Sequence, residues 1–225
     1  MRDYNRIESY MLDCMNDPVH DSEHIYRVLH HALDIAETEQ GVDYEILTAA
    51  CLLHDIGRPE QIANPLLCHA EVGSKKAFYF LIGIGWTNER AAHVRDCIFT
   101  HRFRKDRPPQ SIEAEILFDA DKIEVSGAIG IARTLMYKGT VGEPLYTLNN
   151  DGSINDGKNE NGSSFFKEYN CKLKNIQSTL FTDRGREIAL GRQKAADVFF
   201  NALQAEIKES KAMGQVQLDR IKHQN

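Results

Sequence analysis

The stretch that most constrains how this chain can fold is residues 48–59, TAACLLHDIGRP, where an apolar helix ends in two adjacent polar residues. These are His54 and Asp55, and Gly57 and Pro59 follow them and stop the helix. An imidazole and a carboxylate at the end of a buried helix are costly to desolvate unless a cation binds both. The pair therefore predicts a metal site, although a protonated histidine is also favoured near a helix C-terminus for ordinary reasons.

Four more polar residues stand on predicted helices, or at their starts, in positions that point towards the core. His24 lies beside the apolar stripe of one helix, and His101 lies on the apolar face of another. His69 stands at a helix N-terminus, and Asp121 lies one turn after Leu117 on an apolar face. Each histidine alone also fits an ordinary capping or core residue. A buried unpaired aspartate would protonate or destabilise the fold, whereas a bound cation resolves that cost.

Apolar residues recur at helical spacing along most of the chain, and no segment predicts a convincing sheet. Capping residues mark several helix starts, among them Asp21 or Ser22, Asp43, and Thr87 or Asn88. The pattern is typical of an all-α fold. The predicted helices cover residues 6–16, 22–40, 44–54, 68–83, 88–102, 111–137 and 164–180, and a long final helix starts at residue 183.

The composition changes once along the chain, and this change predicts the domain organisation. Residues 1–140 form a helical core, and residues 141–163, rich in Asn, Gly, Asp and Ser, form a flexible loop or lid with a small hairpin around residues 150–152. Residues 164–225 add helices that complete the same domain, and the last fifteen residues form a fraying tail.

Composition also excludes several classes of function. With 225 residues, of which 42% are apolar and 27% charged, the chain can bury the core of one domain. A formal net charge of -6 argues against binding a nucleic-acid polymer. The five cysteines show no C-x-x-C spacing and predict reduced thiols in a cytoplasmic protein. The most apolar run, residues 77–86, is too short to cross a membrane.

The polar residues on the apolar faces form a mixed nitrogen and oxygen donor set, His24, His54, Asp55 and Asp121. Such a set suits a divalent metal ion, with Mn²⁺ as the first choice and Mg²⁺, Co²⁺, Ni²⁺ or Fe²⁺ as alternatives. Four protein ligands leave octahedral positions for water and substrate. A site of this kind can polarise a phosphoryl oxygen and activate water, which predicts hydrolysis of a phosphate substrate.

A basic run follows His101, where residues 102–107 read RFRKDR. It places Arg102, Arg104, Lys105 and Arg107 close together. Such a run is either a solvated loop or a site for the phosphate groups of a small ligand.

The order His24, then His54 and Asp55, then Asp121 resembles the signature of the HD superfamily of metal-dependent phosphohydrolases. The flanking words resemble one bacterial branch of that superfamily: HIYRV after the first histidine, AACLLHDIG around the pair, and DADKIE followed by GAIGIAR around the last aspartate. This branch also carries a His-Asp pair four residues before the first ligand, here His20 and Asp21. The likeness covers residues 18–137, and TDRGREIALGR at residues 182–192 resembles the same branch.

The resemblance implies an all-α HD-domain helical bundle with a C-terminal helical hairpin packed on it. It also implies roles for individual residues. His24, His54, Asp55 and Asp121 would bind the metal, and His54, Asp55 and Lys122 would be catalytic, with Lys122 neutralising negative charge in the transition state. The expected substrate contacts are Arg27, Arg58, His69, His101, Arg102 and Arg104. Arg27 and Arg58 could instead hold carboxylates around the metal. The histidines that match His69 and His101 bind a second metal in some members of the superfamily.

For function, the resemblance implies a phosphohydrolase acting on a small phosphorylated metabolite, with a (deoxy)nucleoside triphosphate pyrophosphohydrolase as the first choice. A nucleotide monophosphatase or phosphodiesterase of the same superfamily is the alternative within enzymes. No pair of consecutive histidines follows His69, which disfavours the dinuclear cyclic-dinucleotide type. A non-catalytic module that senses nucleotides, or a scaffold in which the metal only joins helices, are the alternatives outside enzymes.

Overall fold

The computed structural model of the chain describes residues 3–15, 22–102, 104, 106–158 and 162–223. The predicted His20-Asp21 pair, Lys105 of the basic run and residues 159–161 of the predicted loop lie outside these ranges. Within the described ranges the regular structure is helical and no β-strand forms, which confirms the all-α prediction. Extended backbone pairs there in one isolated antiparallel bridge, between Leu148 and Ile154, where the small hairpin was expected.

The helices follow one another along the chain with short connections. They are α1 (Tyr4–Cys14), α2 (Ser22–Ala36), α3 (Tyr44–Leu53), α4 (Arg58–Ala63), α5 (His69–Gly83), α6 (Asn88–Thr100), α7 (Ile112–Ile123), α8 (Gly127–Thr140), α9 (Phe165–Cys171) and α10 (Asp183–Lys222), with a 3-10 segment at Leu173–Thr179.

Side-chain caps fix several helix starts where the sequence predicts them. The Asp43 carboxylate accepts hydrogen bonds from the backbone N–H groups of Glu45 and Ile46 at the start of α3. The hydroxyl groups of Thr87 and Ser111 accept equivalent bonds at the starts of α6 and α7. These caps satisfy backbone donors that have no partner within the helix.

Two predicted helix ends were wrong, and a third differs only in the part played by Pro59. The single helix expected over residues 111–137 breaks after Ile123, and Gly127 opens α8 with a φ of 64°, which a residue with a side chain rarely adopts. The helix that leads into His54 ends at Leu53, as predicted, and Pro59 lies in the first turn of the next helix, α4, where its missing N–H costs nothing. The expected fraying tail is helical to Lys222, because it is rich in strong helix formers.

The described chain divides into two compact units. The first comprises Met1–Glu124 and Thr179–Ile188, and the second comprises Val125–Ser178 and Ala189–Asn225. The expected division into residues 1–140, 141–163 and 164–225 remains a sequence-based prediction. In the described part of the chain, no helix combines the length and the apolar character that a membrane span requires.

The first unit has α3 at its centre, in contact with α1, α2, α5, α6 and α7. Nearly every residue from Ile46 to Leu53 is fully buried, so the end of α3 lies deep in the core. The turn that follows packs tightly on α5: a Cβ at Gly57 would lie 2.3 Å from the carbonyl oxygen of His69 and 2.6 Å from the backbone nitrogen of Gly73. The absence of side chains here brings His54 and Asp55 close to the start of α5.

The second unit has its own aromatic core. Tyr169 of α9 stacks on Phe200 of α10 with ring centroids 3.9 Å apart and 8° between the planes. Phe165 and Phe166 pack around the same ring and are fully buried. This core belongs to α8, α9 and α10 and contains none of the predicted metal ligands.

Candidate metal centre

Six polar side chains from five helices of the first unit meet in its core. Each is supplied by a helix or by the residues that directly follow one. They are His24 on α2, His54 and Asp55 after α3, His69 on α5, His101 after α6 and Asp121 on α7.

One half of this cluster contains His24, His54 and Asp121. One ligand atom from each lies within 4.8 Å of the other two. His24 Nε2 is 3.4 Å from Asp121 Oδ1, and the His24 and His54 rings meet edge to face at 5.5 Å. A cation between these atoms would reach all three with small side-chain movements.

Asp55 lies between this half and a second one. Its Oδ2 is 3.8 Å from His24 Nε2 and 3.7 Å from His54 Nε2. Its Oδ1 is 3.4 Å from His69 Nε2 and 3.8 Å from His101 Nε2, and Asp55, His69 and His101 form a second group whose ligand atoms lie within 4.8 Å of one another. One carboxylate thus faces all four imidazoles.

Hydrogen bonds at Nδ1 to backbone carbonyl groups direct two of the rings into the cluster. His54 Nδ1 is 2.7 Å from the carbonyl oxygen of Cys51, and His101 Nδ1 is 2.6 Å from that of Ile98. Because a carbonyl only accepts, both histidines donate from Nδ1 and present an unprotonated Nε2. His54 Nε2 is buried and has no hydrogen-bond partner among the described residues. Such an orphaned acceptor beside two carboxylates fits a bound cation.

The charges of the cluster also fit a divalent cation. Burial lowers the pKa of His54, lowers that of His69 to about 2 and lowers that of His101 to about 3, so these rings are neutral. Burial alone would raise the pKa of Asp55 and Asp121, but Arg58 beside the first and Lys122 beside the second hold both well below the usual range. Neutral imidazoles and ionised carboxylates are the forms that bind metal.

Positive side chains surround the carboxylates. Arg58 Nε is 3.0 Å from Asp55 Oδ1, and Lys122 Nζ is 2.7 Å from Asp121 Oδ2 and 3.4 Å from the carbonyl oxygen of His101. Arg58 thus pairs with a carboxylate of the cluster, whereas Arg27 pairs with Glu124, a buried carboxylate beside His24. The substrate contacts expected of these residues remain predictions.

Two polar partners of the histidines escaped the sequence-based prediction. Glu124 is fully buried one turn after Asp121, and its Oε2 is 3.5 Å from His24 Nδ1. Gln61 on α4 places Oε1 2.6 Å from His69 Nδ1. The third carboxylate in DADKIE, three residues after Asp121 and on the same helical face, was the signal in the sequence that could have identified Glu124. No comparable signal marks Gln61.

Two of the three arginines of the basic run converge at the start of α5. Arg102 Nη1 is 3.6 Å and Arg104 Nη2 is 3.7 Å from the thiol sulfur of Cys68, the residue before His69. Cys68 is partly buried, which would raise the pKa of its thiol, but the backbone N–H of Glu71 and the two guanidinium groups lower it. The basic pair of Arg102 and Arg104 beside Cys68 therefore favours negative charge at the start of α5.

Comparison with known proteins gives consistent matches. The HD domain family matches residues 21–126. Bacillus subtilis (strain 168) has a similar protein, the uncharacterized protein YpgQ, with 30% identity over 190 residues, 84% of each chain. The crystal structure of Bacillus subtilis YpgQ in complex with ADP has a TM-score of 0.69 at 25% identity and covers 91% of this chain and 95% of that one. A predicted HD superfamily hydrolase from an uncultured Thermotogales bacterium has a TM-score of 0.59 at 27% identity over 92% of each chain.

Proposed function

This chain belongs to the HD domain family, and from that premise we propose that it is a metal-dependent phosphohydrolase whose substrate is a nucleotide. The observation that carries the proposal is the meeting of four imidazoles, three of them held neutral by burial, with the ionised carboxylates of Asp55 and Asp121. The similarity to a predicted HD superfamily hydrolase supports hydrolysis as the reaction class.

The proposed metal ligands are His24, His54, Asp55 and Asp121, which together offer two nitrogen and two carboxylate donors. Mn²⁺ is the first choice, and Mg²⁺, Co²⁺, Ni²⁺ and Fe²⁺ are the alternatives that accept such a mixed set. When bound, a divalent cation of this kind polarises a phosphoryl oxygen and lowers the pKa of a water molecule.

The remaining residues of the cluster orient the substrate and stabilise its charge. Lys122 pairs with Asp121, and its side chain is only 13% exposed. It would therefore place a positive charge beside a substrate phosphate group bound near Asp121. His69 and His101 are neutral and present unprotonated Nε2 atoms, which suits them to accept hydrogen bonds from water or substrate hydroxyl groups. Arg102 and Arg104 bind the outer phosphates, since guanidinium groups suit phosphate oxygens.

A nucleotide is the proposed substrate class because the similar YpgQ was crystallised with ADP. The basic pair of Arg102 and Arg104 at the start of α5 supports a ligand with more than one phosphate. A (deoxy)nucleoside triphosphate cleaved to release pyrophosphate is therefore our first choice of substrate and product. Nucleotide monophosphatase, phosphodiesterase and non-catalytic sensing are the alternatives that the following experiment separates.

The test is a panel of nucleoside triphosphates, diphosphates, monophosphates and cyclic nucleotides, incubated with Mn²⁺ and analysed separately for pyrophosphate and orthophosphate. Asp55→Ala should lose metal binding and turnover together, because its carboxylate faces all four imidazoles. Release of orthophosphate alone would replace the pyrophosphohydrolase assignment, and tight nucleotide binding without turnover would favour a sensor. Full activity of Asp55→Ala would refute the site.

A further inference from the structure

His24 stands between two carboxylates that come from the end of the same helix. Its Nε2 faces Asp121 Oδ1 at 3.4 Å, and its Nδ1 faces Glu124 Oε2 at 3.5 Å. Asp121 and Glu124 are three residues apart, so they lie on one face of the last turn of α7. We propose that Glu124 is a positioning residue that holds His24 in the ring orientation and tautomer required to bind the cation.

The proposal follows from what a metal-bound imidazole needs. A histidine that binds a cation through Nε2 carries its proton on Nδ1, and that N–H requires an acceptor when it is buried. His24 Nδ1 is buried, and among the described residues no acceptor lies within hydrogen-bond distance and angle of it. Glu124 is the carboxylate it faces, at 3.5 Å, and a cation at Nε2 would strengthen the Nδ1–H donor and favour a hydrogen bond between them.

Glu124 is itself held firmly in place. Its carboxylate is fully buried and accepts a hydrogen bond of 2.6 Å from Arg27 Nε. His31 Nε2 lies 3.6 Å from its Oε1. Arg27 and His31 follow His24 on α2 at positions i+3 and i+7, so one face of α2 supplies the histidine and both groups that fix its partner.

This arrangement explains why the Glu124 carboxylate is buried in the core although it does not face the atoms proposed to bind the metal. Glu124 approaches only the nitrogen of His24 that points away from Asp55 and Asp121. It therefore acts through His24. The inference rests on the metal site of the proposed function, but it does not depend on which phosphate substrate is hydrolysed.

The experiment compares Glu124→Leu and Glu124→Gln with the full-length wild-type protein. A matched control is Glu113→Leu, because Glu113 is also a buried glutamate of α7, accepts a hydrogen bond from the backbone nitrogen of Asp43 and lies 3.1 Å from a histidine, His93. Mn²⁺ affinity is measured by titration. We expect a loss of about 10- to 100-fold for Glu124→Leu, a smaller loss for Glu124→Gln, whose amide oxygen still accepts a hydrogen bond, and no change for Glu113→Leu.

A second readout separates positioning from general damage to the fold. In Cd²⁺-loaded protein labelled with ¹⁵N-histidine, His24 should give a slowly exchanging Nδ1 proton, assigned by its absence in His24→Gln. We expect this resonance to disappear in Glu124→Leu and to persist in Glu113→Leu. If Glu124→Leu does not fold, the Mn²⁺ affinity of Glu124→Gln decides, and wild-type affinity in that variant would overturn the inference.

The outcomes are distinguishable. Wild-type affinity together with a retained Nδ1 resonance in the Glu124 variants would overturn the inference and leave the proposed function standing. A wild-type protein that binds Mn²⁺ but hydrolyses no nucleotide would overturn the proposed function alone. A wild-type protein that binds neither Mn²⁺ nor Cd²⁺ would overturn both.

Discussion

His69 and His101 come from different helices and bring their Nε2 atoms within 3.2 Å of each other in the core of the first unit. The Nδ1 of each ring already contacts an oxygen, that of Gln61 for His69 and that of Ile98 for His101. Burial lowers the pKa of His69 to about 2 and that of His101 to about 3, so the folded protein keeps both rings neutral at every pH near 7.

This pair predicts an acid-sensitive stability for the metal-free protein. Below about pH 6.5 the two histidines are protonated in the unfolded chain but stay neutral in the folded protein. The unfolded state therefore binds more protons, and the free energy of unfolding falls as the pH falls. Between pH 7 and 5.5 we expect a loss of about 1 kcal/mol from each of the two rings. Urea unfolding in the presence of a chelator, followed by the fluorescence of the single tryptophan, Trp86, measures the change.

The control for this prediction is His101→Gln, which removes one of the two rings. Its stability should vary less with pH than that of the wild type, by about 1 kcal/mol over the same interval. His24 acts in the opposite direction: burial lowers its pKa, but Asp121 and Glu124 raise it overall, so its contribution to stability is lost as the pH rises. An identical pH dependence in the variant and the wild type would contradict the assignment.

Two aspartates on α7, Asp119 buried and Asp121 partly buried, should separate metal binding from stability. Asp121 belongs to the cluster, whereas Asp119 accepts hydrogen bonds from the backbone N–H groups of Phe181 and Thr182 and from the Thr182 hydroxyl at 2.7–3.1 Å. Asp121→Asn should lower the Mn²⁺ content by more than about tenfold, because it removes a charged ligand. Elemental analysis after gel filtration measures it.

Asp119→Asn is the matched variant, since it makes the same chemical change two residues away. It leaves buried donors beside an amide NH₂ and should cost about 2 kcal/mol of stability in urea unfolding. Its Mn²⁺ content should equal that of the wild type. Equal metal loss in both variants would mean that the substitutions act through the fold rather than through the site.

Much of the fold follows from local signals in the sequence. The caps at Asp43, Thr87 and Ser111 were predictable because each cap bonds to a residue two or three positions away. The break between α7 and α8 was not, because the apolar spacing continues across residues 124–126 and only Gly127 marks the change. Periodicity reports which face is buried and carries little information about where one helix ends and the next begins.

The candidate site shows the same division between local and distant information. Helical spacing was enough to place His24, His54 and Asp121 on core-facing surfaces. The sequence could not indicate that Asp55 faces four imidazoles, or that Arg27 pairs with Glu124 across 97 positions. These contacts depend on how separate helices pack, which no single helix encodes.

The close approach of the α3–α4 turn to α5 gives a further prediction. Gly57→Ala places a methyl group 2.3 Å from the carbonyl oxygen of His69, and a backbone neighbour cannot turn aside as a side chain can. We expect a loss of about 2 kcal/mol or more in stability, because the two segments must separate. Gly83→Ala is the control, since among the described residues no atom beyond its own helix backbone and chain neighbours lies within 4 Å of that Cβ, and alanine favours the helix. A neutral Gly57→Ala would show that the two segments are not held together this tightly.

The basic pair of Arg102 and Arg104 beside the site predicts a preference for substrates with several phosphate groups. Arg104 approaches Cys68 at the start of α5 and is exposed, so its loss should leave the metal site and the fold intact. If it binds outer phosphates, Arg104→Ala should raise KM for a nucleoside triphosphate by about tenfold, corresponding to one charge-assisted hydrogen bond, with a smaller effect on a chromogenic monoester. Steady-state kinetics on both substrates measures the difference. Arg95→Ala serves as the control, because Arg95 pairs with its neighbour Asp96 on α6 and is not one of the expected substrate contacts. An equal rise in KM for both substrates would exclude contact with the outer phosphates and would place the role of Arg104 at the phosphoryl group common to both.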